Sequence, residues 1–293
     1  MPRKPLFYLL KILSILFDFS MDFLMNPKTR ITLTPEQETL LIPLYAKAQP
    51  GNPLFFDPKA QEILSQVDYD FSRLRVPYKT VILVCQRAKK LDAVTRAFLA
   101  EHPGAAVLHL GCGLDSRFWR VDNGQVEWYD LDMPPVIALR QQFYPAHERY
   151  HLIASSVTDL EWMDQVNAAG RPVLVVAEGL LMYLGEVDVM RIVVQLTKNF
   201  PGCRLIADVF SRMAARSATR HPSLKQTGAS IGWGIDDPHT IEAWAPGIHL
   251  IEEWFFAHDP DLALLSPGYR LAYRLAGAFM MVNRAHRIVY YQL

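Results

Sequence analysis

The stretch VLHLGCGLDSRFWRV, residues 107–121, decides how the rest of the chain is read. Its first half belongs to a short apolar run, AAVLHL (105–110), with the length and composition of a strand buried on both faces. The run stops at Gly111-Cys112-Gly113. Glycines placed directly after a first parallel strand let the backbone turn sharply and come close to a ligand. Dinucleotides and S-adenosylmethionine (SAM) both use that device.

The neighbouring residues discriminate between the two. A dinucleotide site asks for G-x-G-x-x-G; Gly111 and Gly113 fill the first two places, but Ser116 stands in the third. Asp115 lies in the same loop, where a carboxylate would repel a pyrophosphate. SAM brings a sulfonium and an ammonium group, and an acidic loop suits it. Asp132 lies 19 residues beyond Gly113, at the end of a second strand, VEWYDLD (126–132). A carboxylate there can accept hydrogen bonds from both ribose hydroxyls. It could also cap the helix that opens at Met133-Pro134, and Asp130 is a competing carboxylate. Glu178 closes a fourth apolar run, PVLVVAE (172–178), at the strand end where open α/β sheets bind ligands. Its other reading is a solvated strand end.

Outward from this centre the pattern is α/β. RYHLIAS (149–155) and CRLIADVF (203–210) read as the third and fifth strands, with helices at PPVIALRQQF (134–143) and 185–200 between strands. Strands alternating with helices predict βαβ units and a mostly parallel sheet covered on both faces. Upstream, helices are expected at PEQETLLIPLYAKA (35–48) after Thr34, from Pro58, and at VILVCQRAKKLDAVTRAFLAEH (81–102). Downstream, 211–247 is rich in Ser, Gly, Pro, His and Trp and is expected outside the sheet. HLIEEWFF (249–256) and HRIVYYQL (286–293) read as two late strands that close the sheet edge as an antiparallel hairpin.

Composition narrows the class. The 293 residues carry 30 Lys plus Arg against 30 Asp plus Glu, and 51% are hydrophobic. Such a chain buries a core and is not disordered, and zero net charge argues against a nucleic-acid binder. Cys85, Cys112 and Cys203 form neither a disulfide framework nor a zinc pattern, so a reduced, cytoplasmic setting is expected and no metal site. No G-x-S-x-G elbow and no H-E-x-x-H motif occurs, which disfavours hydrolases. Residues 6–25 are strongly apolar but contain Lys11, Asp18 and Asp22, each costing roughly 3 kcal/mol near a bilayer centre. This leaves an amphipathic helix packed on the domain or on a membrane surface, or an upstream extension with Met21 or Met25 as the start. Membrane association is disfavoured. The expected organisation is an extension (1–34) followed by one domain (35–293) with a helical cap (35–104) and an acceptor-side insertion (211–247).

Four motifs in this order, LGCGLDSRFWRV, WYDLDMPPVIALRQQF, IASSVTDLEWM and VVAEGLLMYL, resemble the leucine carboxyl methyltransferase superfamily. ETLLIPLYAKA and EAWAPGIHLIEEWFF are similar to its TcmP-like polyketide O-methyltransferase branch, and the likeness runs over residues 36–293. The resemblance implies a class I SAM-methyltransferase fold, an α/β three-layer sandwich. Its sheet would be mostly parallel with an antiparallel C-terminal strand, and helices would be added at the N-terminus. It implies that Gly111, Gly113 and Asp115 hold the amino-acid part of SAM and Asp132 the ribose. Ser156 and Val157, with Asp159, would flank the adenine, and Arg87 would grip the methionine carboxylate. Glu178 would lie by the SAM amino group and the acceptor entrance, with Tyr183 lining the acceptor pocket. Ser116 stands where the family more often has threonine. Trp233, His239 and Trp244 are candidate acceptor contacts, against an ordinary core role. The implied activity is O-methylation of a carboxyl or hydroxyl oxygen on a small, polyketide-like aromatic molecule. Methylation of a protein C-terminus, NAD(P)-dependent reduction, and binding without turnover are the alternatives.

Overall fold

The computed structural model describes residues 39–218 and 231–293. The described residues open with three helices, α1 (Leu41–Lys47), α2 (Pro58–Gln66) and α3 (Tyr78–Glu101). Asp57 caps α2 by accepting from the amides of Lys59 and Ala60. β1 (Ala106–Leu110) leads through α4 (Arg117–Val121) to β2 (Glu127–Asp132), then α5 (Pro134–Arg140), β3 (Tyr150–Ala154), β4 (Val173–Ala177), α6 (Glu186–Asn199) and β5 (Arg204–Phe210). After α7 (Arg212–Ala218) come β6 (His249–Phe255), α8 (Pro267–Ala278), α9 (Met280–Asn283) and β7 (His286–Gln292).

The strands form one sheet in the order β3-β2-β1-β4-β5-β7-β6. The first five pair in parallel and β7 is antiparallel to both its neighbours. Continuous apolar strands are what a sheet covered on both faces requires. Val107, Trp128, Val176 and Ile206 pack towards α3 and α4, while Leu108, Val175 and Leu205 pack towards α6.

The two late strands close the sheet edge as an antiparallel pair, as expected. β7 slots between β5 and β6, so the last strand is internal and β6 is the edge. The side chains explain the order. Arg287–Tyr291 are all buried, whereas β6 carries Glu252 and Glu253 and stays half-exposed. The connection between the two late strands is no tight turn; it contains α8 and α9. α3 also starts three residues earlier than expected, at Tyr78. The expectations for residues 1–34, the Thr34 cap and part of the 211–247 insertion lie outside the described residues.

Candidate cofactor and acceptor site

A cavity of about 360 Å³ opens at the carboxyl ends of β1, β2, β4 and β5, roofed by α1. Its floor is the β1–α4 turn. Gly111 has φ 61°, and a Cβ there would lie 2.9 Å from Leu180 Cδ1, so any other residue would be strained and would displace Leu180. Arg140, buried on α5, fixes this loop from behind. It donates to the carbonyls of Gly113 (2.9 Å) and Asp115 (2.6 Å) and pairs with Asp130.

The two carboxylates of β2 have separate roles. Asp130 is buried and accepts from His109 Nδ1 (3.0 Å), Trp128 Nε1 (2.8 Å) and the Tyr150 hydroxyl (2.5 Å) in addition to Arg140. The core uses all of its acceptor capacity. Asp132 lines the cavity. It accepts from the amides of Gly113 (2.8 Å) and Met133 (2.7 Å) and makes no ion pair among the described residues. Burial without a cation raises its pKa above the usual carboxylate value. Each oxygen keeps an unused lone pair.

Asp115 is already paired within the chain. It lines the cavity, but its carboxylate pairs with Lys47 of α1 and with Arg120 of α4 (3.0 Å). Those cations hold it well below the usual range despite burial. The charge of this acid is thus already balanced by two cations of the chain itself. Ser116 is likewise turned inward, donating to Asp57 (2.6 Å).

Glu178 is no solvated strand end. It is held by Arg87 Nε (3.0 Å) and by Arg117 Nη2, and these cations overcome burial to lower its pKa. Arg87 reaches across from α3 and also donates through Nη1 to Asp208 (2.9 Å). Asp208 in turn takes the Gly179 amide (2.6 Å) and His286 Nε2 (2.7 Å). Gly179 has φ 62°, and a Cβ on it would press on Arg87 Nη2 at 3.2 Å. Arg117 continues the chain to Asp92 (2.8 Å), and Arg120 joins Asp92 (2.7 Å) to Asp57 (2.8 Å). One buried network thus runs from the α2 cap to the first residue of β7. Lys47, Arg117, Arg120, Arg140, Gly179, Asp208 and His286 were not foreseen. The available signal was Asp208, an acid set inside the fifth apolar strand two residues before its end.

Ser156, Val157 and Asp159 follow β3 and sit beside the end of β2, where the Ser155 amide donates to the Asp132 carbonyl (3.0 Å). They do not line the cavity itself. Tyr183 does, with Leu40, Pro43, Met182 and Phe210, and these give the mouth an apolar wall. Trp233 is buried in the core and Trp244 packs beside it, ring centroids 6.5 Å apart. His239 is exposed and pairs with Glu242 (3.1 Å). None of these three lines the cavity, so core packing accounts for both tryptophans. Burial pushes the Cys112 thiol well up, which removes it as a nucleophile.

The family model for leucine carboxyl methyltransferase matches residues 42–197. The chain is 41% identical to the tetracenomycin polyketide synthesis O-methyltransferase TcmP of Streptomyces glaucescens, over 89% of this chain and 98% of that one. The chain belongs to the leucine carboxyl methyltransferase family. It is also 33% identical to the S-adenosyl-L-methionine-dependent methyltransferase dpfgK of Gibberella zeae, over 79% of this chain and 86% of that one. Among solved structures, a DUF574 family protein from Streptomyces avermitilis superposes with a TM-score of 0.55 at 12% identity, covering 88% of this chain and 99% of that one. The fold is that of class I SAM methyltransferases, as the motifs implied. As a family member the protein is a SAM-dependent O-methyltransferase, and SAM is its cofactor.

Proposed function

We propose that the cavity binds SAM with its ribose on Asp132, its amino-acid part against Gly111 and Gly113, and its carboxylate on Arg87. In this reading Ser156, Val157 and Asp159 flank the adenine, and Glu178 acts through Arg87 at the acceptor entrance. The observation that carries it is the state of Asp132. Among the described residues, the other carboxylates lining the cavity, Asp115 and Glu178, are paired with cations, whereas Asp132 makes no ion pair and keeps lone pairs for a neutral diol. Arg87 supports the second contact. Glu178 and Asp208 hold its Nε and Nη1, leaving Nη2 over Gly179 for an incoming carboxylate.

The acceptor is a small aromatic molecule of polyketide type, methylated on a carboxyl or hydroxyl oxygen. The apolar wall of Leu40, Pro43, Met182, Tyr183 and Phe210 suits a flat hydrophobic body, and TcmP carries a polyketide O-methyltransferase name. Bound SAM supplies an already activated methyl group. The chain's task is positional: Tyr183 and Phe210 would hold the acceptor oxygen about 3 Å from the methyl carbon, in line with the leaving sulfur. A carboxylate acceptor is ionised at neutral pH and needs no base. Residues 35–293 act as one catalytic domain in this reading.

Calorimetry with S-adenosylhomocysteine (SAH) and with NAD tests the cofactor site. Micromolar binding of NAD with none of SAH would overturn the reading. Mass spectrometry of aromatic carboxylic acids and phenols incubated with labelled SAM tests the acceptor class. Arg87→Ala is expected to weaken SAH binding several-fold or more, and an unchanged dissociation constant would remove the carboxylate contact. His286→Ala should weaken SAH by releasing Asp208 from one side. His286→Gln, which keeps an N–H for Asp208, should restore most of the loss in the same titration.

A further inference from the structure

The helical insertion between β6 and β7 presents a surface that the site does not use. Tyr269 and Tyr273 pin α8 inward; Tyr269 packs on Tyr78 of α3 with ring centroids 5.1 Å apart. The orientation of the helix is thereby fixed, and its outer face is apolar. Leu271, Leu275 and Phe279 follow one another at four-residue spacing, and Met280, Met281 and Val282 continue the ridge; all six are 54–68% exposed. Single exposed apolar side chains are ordinary, but a contiguous ridge marks a contact surface.

The charges around the ridge select the partner. Arg270, Arg274 and Arg284 flank it, are exposed, and make no ion pair among the described residues. The sequence has no Asp or Glu from 262 to 293. We propose that α8 and α9 dock on an anionic membrane surface, with the Phe279–Val282 tip in the headgroup–acyl boundary and the three arginines on lipid phosphates. An apolar face bordered by cations is the pattern of helices that lie in the plane of the interface. A second copy of the chain fits less well. Twofold pairing through this ridge would bring the same three arginines from both copies together with no acid on the segment to neutralise them.

This contact differs from a membrane span, and no described helix is long and apolar enough for one. It also departs from the expectation drawn from residues 6–25, since it rests on another segment. α9 leads directly into His286, whose ring packs on Phe210 at the cavity mouth (4.7 Å). Docking would therefore bring the mouth towards the bilayer. That last consequence for acceptor supply rests on the proposed function; the docking does not.

The test is sedimentation of the full chain with vesicles of phosphatidylcholine alone and of equal parts phosphatidylcholine and phosphatidylglycerol. Binding is expected with the anionic vesicles, much weaker with the zwitterionic ones, and reduced by salt. The double variants R270E/R274E and F279S/M281S should each lower it roughly tenfold or more, with SAH affinity and Tm unchanged. Undiminished vesicle binding by both variants would place the contact elsewhere, residues 6–25 included, and overturn the proposal. So would absent vesicle binding together with a concentration-dependent dimer that F279S/M281S abolishes. Because SAH is titrated in parallel, failure of the cofactor site reads out separately from failure of docking.

Discussion

Arg117→Ala is expected to destabilise the fold by about 3–5 kcal/mol, the range seen when one partner of a buried ion pair is removed. The side chain is fully buried and donates to Asp92, His109 and Glu178, which belong to α3, β1 and the end of β4. Removing it leaves Asp92 to Arg120 and Glu178 to Arg87, each carboxylate short of a donor, and Asp92 lies where water does not reach. Lysine should rescue little of this, because a point charge cannot reach the three partners that the planar guanidinium fork serves. Denaturant unfolding followed by circular dichroism checks the loss, with a fall in midpoint at constant slope as the expected form. A loss below about 1 kcal/mol would mean the network behaves as surface pairs do.

The same network sets how acid acts on the protein. Asp92, Asp115, Glu178 and Asp208 are all held below their ordinary values by adjacent cations. Their contribution is fully present above the unfolded carboxylate values of about 4 and is lost as pH falls through the lower folded values. The wild type should therefore stay folded into mild acid. Arg117→Ala should raise the folded values of Asp92 and Glu178 and move acid unfolding to higher pH. Asp132 is shifted the other way, so it takes up its proton first on acidification. SAH affinity should consequently fall at a pH where circular dichroism still reports a folded chain. Coincident loss of binding and structure would contradict that order.

How much of this the sequence could show depends on where the information lies. β1 and β4 were legible because strands buried on both faces have nothing but apolar residues, and Gly111, Asp132 and Glu178 were legible because they interrupt such runs at the ligand end. The partners of those residues were not. Arg117 and Arg120 look like helix-surface charges until α4 is packed against α3, and Asp115 looks like a free acid until Lys47 arrives from 68 residues away. Which of the two late strands lies inside is set in a similar way. Pairing order depends on which late strand can be buried on both faces, and HRIVYYQL satisfies that only once Arg287 bonds the carbonyls of Ile235 (2.7 Å) and Asp236 (2.9 Å). Long-range neutralisation of charge is not a local property of sequence.

Asp132→Ala should weaken SAH binding by roughly 10- to 100-fold with little change in Tm, since hydrogen bonds to a charged group contribute about 1.5–3 kcal/mol. Both oxygens are anchored by amides, so the carboxylate is already oriented and loses little freedom when a diol arrives. Asp132→Asn keeps one oxygen acceptor but replaces the other with a donor that faces an amide, and it should fall between wild type and alanine. Asp130 is the internal control. Two residues earlier on the same strand face, it is committed to Arg140, His109, Trp128 and Tyr150, so Asp130→Asn should lower Tm and leave the affinity of the folded fraction near wild type. The two variants thus separate along different axes, affinity for one and stability for the other. The reverse pattern, with Asp130→Asn losing SAH and Asp132→Asn silent, would falsify the assignment of the ribose to Asp132. It would require Arg140 to release Asp130 to the ligand, and with it the carbonyls of Gly113 and Asp115 that shape the glycine loop.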